Sequence, residues 1–318
     1  WLGGLQTAGA LPLPSRRFNF ETRTQRTTAM LPGFSTNSFA DTDPLDVLPV
    51  LAELGCRSLA ITPDRQLLNP FDAGLPAEIE RWRQELDRLG LACVIETGAR
   101  HLLDPLQKHE PTLVSSAAAD RDRRRDFLCR AIDLAAELQA DCVSLWAGVV
   151  HDAADQEALW QRLVDGLGPV LDHAGRREVT LGFEPEPGMF IDTVARAEQL
   201  LDRLGRPAGL GLTIDIGHLE CLGERPLAVT VARVASQVVN VHLDDMLVCR
   251  HEHLPLGAGE VDFEPVLREL ARAGYRGGLH VELPRQSHRW LATAAESLGF
   301  LGRSLQAIET ASVPLGQL

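Results

Sequence analysis

The sequence has no Cys-x-x-Cys pair, no long basic run, no apolar stretch approaching a membrane span, and no Gly-rich phosphate turn after its first strand-like run. Each absence removes a class of protein. Six cysteines (Cys56, Cys93, Cys129, Cys142, Cys221 and Cys249) lie far apart, several inside apolar runs such as "LACVIE" and "DCVSLW". They read as free, buried thiols in a reducing, cytoplasmic compartment, not as a disulfide framework. A membrane helix needs about 20 apolar residues in a row, so no membrane partner is expected. Lys and Arg total 31 against 44 Asp and Glu, a net charge of −13. Nucleic-acid surfaces carry a basic footprint, so no nucleic-acid partner is expected either. The missing Gly-rich turn weighs against a doubly wound dinucleotide fold. What remains is a chain that is 45% apolar and 24% charged, ordinary proportions for a soluble globular protein.

The first 33 residues differ from the rest. They are rich in Thr, Arg, Pro and Gly, hold one acidic residue (Glu21), and lack helical or strand periodicity. They read as a disordered or non-native extension, with Met30 just ahead of the first clean strand.

From residue 34 to 312 the chain repeats one rhythm of short apolar run, polar corner and amphipathic stretch. The apolar runs fall at 34–39, 56–62, 91–97, 141–148, 179–185, 209–215, 238–244 and 277–283. They are short, β-branched and nearly continuous in hydrophobicity, as strands buried on both faces should be. Helical patterns separate them, among them "AEIERWRQELDRLG" and "FEPVLRELARAG", several closing on Gly. Eight strand–helix units in about 285 residues predict an α/β fold of one domain, the (β/α)8 TIM barrel, typically about 250 residues. Residues 98–119 have no periodicity and read as an inserted loop over the barrel mouth.

Such barrels carry their chemistry at the C-terminal strand ends. Strand five ends in Glu184-Pro185-Glu186 and strand six in Asp215 with His218. Strand seven ends in His242 with Asp244 and Asp245, and strand eight in Glu282. A lone Asp here is often only a helix N-cap, and a lone His only a satisfied structural residue. Four such groups at neighbouring strand ends form a costly cluster of buried charge unless a cation joins them. Glu184, Asp215, His242 and Glu282 offer three anionic oxygens and one nitrogen. That set suits one divalent metal, Mn²⁺, Mg²⁺ or Co²⁺ ahead of Zn²⁺. Glu186 shares the strand face of Glu184 and is a reserve ligand or substrate contact. The inserted loop brings Arg100, His101, Lys108, His109 and Glu110, either as a solvated loop or as a substrate lid. His109 and Arg285 are candidates to meet an anionic substrate group.

The order Glu, Asp-x-x-His, His, Glu, in "LGFEPEPG", "TIDIGH", "VNVHLDD", "HLPLGAGEVDF" and "LHVEL", resembles the xylose isomerase-like barrel superfamily of sugar isomerases and epimerases. The resemblance implies that Glu184, Asp215, His242 and Glu282 bind one metal, that Glu184 and Glu282 also move the proton, and that His218 contacts substrate. The expected activity is isomerisation or epimerisation of a keto sugar, sugar phosphate or related polyol. A glutamate removes the α-proton beside a metal-chelated carbonyl, and a second returns it. Loss of a β-hydroxyl instead would make the enzyme a dehydratase of a keto-inositol-like substrate. In "RHEHLPLGAG", His251 and His253 also resemble the ligand pair of endonuclease four-type phosphodiester hydrolases. They are read here as facing substrate, with a second metal as the alternative, and the glycines as a structural turn. A non-catalytic sugar-binding barrel is a third class. The expected partner is a small carbohydrate, and a homodimer is compatible with apolar residues on helix surfaces.

Overall fold

A computed structural model describes residues 29–40 and 42–312; residues 1–28 of the extension expected over 1–33 lie outside them. Eight parallel strands close into a barrel: β1 (Leu31–Ser35), β2 (Ser58–Ile61), β3 (Ala92–Glu96), β4 (Val143–Leu145), β5 (Leu181–Phe183), β6 (Leu210–Asp215), β7 (Val238–Leu243) and a last strand at Gly278–Val281. Their apolar side chains are almost wholly buried, as strands covered on both faces require. The outer helices are α1 (Pro44–Glu53), α2 (Leu75–Leu89), α3 (Ala118–Leu138), α4 (Gln156–Arg177), α5 (Val194–Arg203), α6 (Ile216–Cys221), α7 (Leu227–Val234), α8 (Phe263–Arg272) and α9 (Trp290–Ser312). No helix among the described residues is long and apolar enough to cross a membrane. All six cysteines are free, and four of them are buried.

Two local differences from the sequence reading matter. The first strand begins at Leu31, ahead of the boundary at 34, because Leu31–Phe34 pair with Gly278–Val281 across the barrel closure. Tertiary pairing outweighs the turn signal of Pro32-Gly33. The rest of the expected strand, Thr36–Phe39, is a 3-10 turn, with the Ser35 hydroxyl accepting from the Asn37 N–H at 3.2 Å. The second difference is a short antiparallel hairpin, β8 (Asp245–Leu247) and β9 (Arg250–Leu254), where a plain loop is expected. The closing barrel strand is therefore β10 (Gly278–Val281).

The inserted loop is real: α3 starts only at Ala118. It is pinned to the barrel at Gly148, just beyond β4, where φ is +103° and a Cβ would sit 2.3 Å from the buried Thr112. Any larger residue is strained in its backbone and collides with the loop. Gly148→Ala is expected to cost about 1–3 kcal/mol of stability by urea denaturation. Gly175→Ala, in α4 with open space around its Cα, should instead gain about 0.5–1 kcal/mol.

Candidate active site

β5, β6, β7 and β10 are consecutive in the barrel wall, so their C-terminal side chains meet at one place on the mouth. His242 sits at its centre. Its Nδ1 lies 3.0 Å from Glu184 Oε1 and 3.4 Å from Glu282 Oε2. Asp215 pairs with His242 across the β6–β7 ladder. It brings an oxygen within 4.8 Å of ligand atoms on both His242 and Glu282. Glu184, Asp215 and His242 are buried, and Glu282 is nearly so.

Asp215 has two roles at once. One oxygen caps α6, accepting from the His218 N–H at 3.0 Å. The other is buried without a hydrogen-bond partner, as are both ring nitrogens of His218. Burial raises the Glu184 carboxyl to about 7, with His242 opposing and Glu96 and Asp215 adding to the rise. Burial also disfavours charge on His242, but Glu96 and Glu184 outweigh it and lift that imidazole well above its ordinary value. Burial takes His218 down to about 3 although Asp215 pulls the other way.

A second tier stands beside this cluster. His218 Nδ1 is 3.6 Å from Glu186 Oε2, and the His218 ring meets His251 and His253 edge-on at 4.9 and 5.6 Å. The hairpin makes this possible: His251 and His253 share one face of β9 and fold back over α6. His253 is paired with Asp244, a contact that raises it to about 10 against the effect of burial. Asp245 holds the hairpin's return, accepting from the Gly257 N–H at 2.8 Å and the Val261 N–H at 3.0 Å. Gly259 approaches so closely that a Cβ would lie 2.3 Å from Asp245, which makes the "LGAG" glycines structural, as expected.

The other expected contacts stand further out. Arg285 is exposed and reaches only the His251 carbonyl, at 3.3 Å. His109 bonds the Gly98 carbonyl and packs edge-on against Trp146 at 5.7 Å; it makes no hydrogen bond to the cluster among the described residues. The loop reaches the site through Arg100 instead. Arg100 Nη2 donates to Asn37 Oδ1 at 2.6 Å, and Asn37 Nδ2 donates to Glu282 Oε1 at 2.7 Å.

Sequence reasoning misses four residues: Asn37, Glu96, Asn240 and His280. Glu96 Oε1 is 2.8 Å from His242 Nε2, and Asn240 Nδ2 is 3.0 Å from the same oxygen. His280 Nδ1 meets Asn240 Oδ1 at 2.9 Å, and Ser58 Oγ meets His280 Nε2 at 2.8 Å. All of these except Asn37 are buried. One available signal is the i, i+2 spacing of Asn240 and His242, which puts both on one strand face. The other is the presence of Glu96 and His280 inside otherwise apolar strand runs.

Three carboxylates converging with one imidazole, and a carboxylate oxygen buried without a partner, leave excess negative charge that a cation would offset. The donor set is mostly hard oxygen, which fits a divalent ion such as Mn²⁺, Mg²⁺ or Co²⁺. Asp215, His242 and Glu282 bring ligand atoms within 4.8 Å of one another and Glu184 lies 3.0 Å from His242; these residues would hold such an ion.

A closed (β/α)8 barrel with such a cluster at its C-terminal mouth defines the class of barrel whose reactive groups come from several strand ends. The family model "Xylose isomerase-like TIM barrel" matches residues 48–304, and the chain belongs to that family. It is 25% identical over 232 residues to "Putative L-ribulose-5-phosphate 3-epimerase SgbU" of Escherichia coli K12, covering 66% of this chain and 79% of that one. It is 29% identical over 251 residues to the 3-dehydroshikimate dehydratase of Pseudomonas putida KT2440, covering 75% of this chain but 36% of that protein. Among solved structures, an L-ribulose 3-epimerase superposes with a TM-score of 0.72 at 19% identity, covering 90% of this chain and 99% of that one. The 3-keto-D-glucoside 4-epimerase YcjR of E. coli does so at 0.72 and 17%, covering 86% and 99%. At those identities the superpositions show the shared barrel.

The buried network also sets a pH dependence. Burial, reinforced by the neighbouring His242, lowers His280 to about 3, against about 6.5 in an unfolded chain. Below about pH 6.5 only the unfolded chain gains this proton. The contribution is therefore complete above pH 6.5 and declines toward pH 3, by up to about 1.4 kcal/mol per pH unit. Urea denaturation between pH 7 and pH 5 should show a shallower pH slope for His280→Gln than for the parent, by close to one proton.

Proposed function

We propose that the protein is a divalent-cation-dependent isomerase or epimerase of a keto sugar, sugar phosphate or related small carbohydrate. The observation that carries this reading is the convergence of Asp215, His242 and Glu282, with ligand atoms within 4.8 Å of one another, beside Glu184, 3.0 Å from His242, and with an Asp215 oxygen buried without a hydrogen bond. The similarity to the putative L-ribulose-5-phosphate 3-epimerase of E. coli supports it. When bound, the cation supplies Lewis-acid stabilisation of negative charge on the substrate's carbonyl oxygen.

The chain's own residues supply the rest. Glu184 and Glu282 come from β5 and β10, on either side of β6 and β7, and so flank the site from two directions. One removes the proton next to the carbonyl; the other returns it, with inversion when it does so from the opposite face. Asn37, itself held by Arg100, hydrogen-bonds Glu282 and fixes the carboxylate's direction. His218, Glu186, His251 and His253 offer ring nitrogens and carboxylate oxygens to sugar hydroxyls, with Arg285 at the rim. A net charge of −13 disfavours a phosphodiester backbone as substrate.

A dehydratase is the second reading, favoured by the higher identity to the P. putida enzyme. It shares the first proton abstraction and differs in expelling a β-hydroxyl.

A panel of keto sugars, their phosphates and keto-cyclitols incubated in D₂O, followed by NMR, separates these outcomes. Deuterium at the α-carbon with a new epimer is the expected result; a dehydrated product favours the second reading. Glu282→Gln should slow α-proton exchange by about 10²–10⁴-fold with the folded state retained. Exchange at the parent rate in that variant contradicts the assignment. EDTA should abolish exchange, and Mn²⁺ should restore it; exchange that survives chelation contradicts the cation's role.

A further inference from the structure

The ring of His242 lies between two groups of opposite use. Nδ1 faces Glu184 and Glu282, at 3.0 and 3.4 Å, while Nε2 faces Glu96 at 2.8 Å. Glu96 is buried at the end of β3, where its Oε1 meets His242 Nε2 and Asn240 Nδ2, and one of its oxygens lies within 4.8 Å of a Glu184 oxygen.

We infer that Glu96 is a positioning residue that holds the proton of His242 on Nε2, so that Nδ1 is the atom offered to a cation at the mouth. The inference rests on the proposed function.

The hydrogen-bond directions follow from one fact: a carboxylate only accepts. With no hydrogen on Nε2, two lone pairs would face each other at 2.8 Å, so Nε2–H donates to Glu96. The Asn240 amide must then turn its Nδ2 to Glu96, because its oxygen would be repelled at 3.0 Å. That leaves Asn240 Oδ1 facing His280, which requires a hydrogen on His280 Nδ1. His280 Nε2 is then an acceptor, filled by the Ser58 hydroxyl. From β6, Thr213 Oγ1 donates to Ser144 Oγ on β4 at 3.0 Å, and Ser144 in turn bonds Glu96. Three donors thus converge on one carboxylate, and Asn240 Nδ2, 3.1 Å from His242 Nε2, shares that carboxylate with the ring instead of bonding the ring nitrogen. Glycines on β1 and on β10 itself clear the space: a Cβ at Gly33 or Gly278 would lie 2.6 or 2.3 Å from the His280 ring. An outer carboxylate of this kind fixes the tautomer and orientation of a ligating imidazole and raises its basicity.

Titration of the full chain with MnCl₂ by calorimetry tests this. Glu96→Gln should bind Mn²⁺ about 10–100-fold more weakly than the parent, with the titration run below its thermal midpoint in EDTA so that only folded protein is compared. Glu96→Asp, which keeps the charge, should recover part of the affinity. A purely structural role would instead lower the EDTA midpoint and leave the affinity of the folded protein unchanged. Equal Mn²⁺ affinity in parent and Glu96→Gln overturns the inference. A parent that binds no Mn²⁺ overturns the proposed function, and this inference with it. Independently of any variant, ¹⁵N NMR of the Mg²⁺-loaded parent should show His242 protonated at Nε2. A proton on Nδ1 there overturns the inference.

Discussion

The architecture of this mouth depends on one electrostatic constraint: Glu96, Glu184, Asp215 and Glu282 are gathered around the single imidazole of His242. A cluster of this charge taken out of water is costly, and one imidazolium cannot balance it. Hydrogen bonding covers part of the cost. Glu96 is served by Asn240 and Ser144, Asp215 by the first turn of α6, and Glu282 by Asn37. What remains is an Asp215 oxygen and two His218 nitrogens, all buried without a hydrogen bond, with Asp215 Oδ2 3.6 Å from His218 Nε2.

The barrel is the reason these groups can be so far apart in sequence. Parallel strands with regular helical returns bring every C-terminal strand end to one rim. The last four wall strands put residues 184, 215, 242 and 282 side by side without any local motif. The crowded segment from His242 to Phe263 divides accordingly. His242 belongs to the wall cluster, while His251 and His253 belong to a hairpin that Asp245 and the close approach of Gly259 hold over α6.

Much of this is legible in the sequence. The alternating apolar runs and helices announce the barrel, and polar residues at four consecutive strand ends announce the mouth cluster, because periodicity and position alone carry that information. What stays hidden is lateral. Nothing local marks Glu96 as the partner of a histidine 146 residues later, and His280 looks like one polar residue in an apolar strand. Asn37 becomes visible only once Leu31–Ser35 is seen to be the strand, because the turn after it aims the amide at Glu282. The hairpin at 245–254 escapes notice because strands of three and five residues are too short to show an alternating apolar pattern.

The central claim is that one cation is held at the mouth by three carboxylates and a single imidazole. Electron–nuclear double resonance on the Mn²⁺-loaded protein reads this directly from the nitrogen couplings. The account predicts one bound Mn²⁺ with a single strongly coupled imidazole nitrogen, lost in His242→Gln and kept in His251→Gln. Coupling to two or three imidazole nitrogens, or a coupling that survives His242→Gln, would place the ion among His218, His251 and His253 and contradict it.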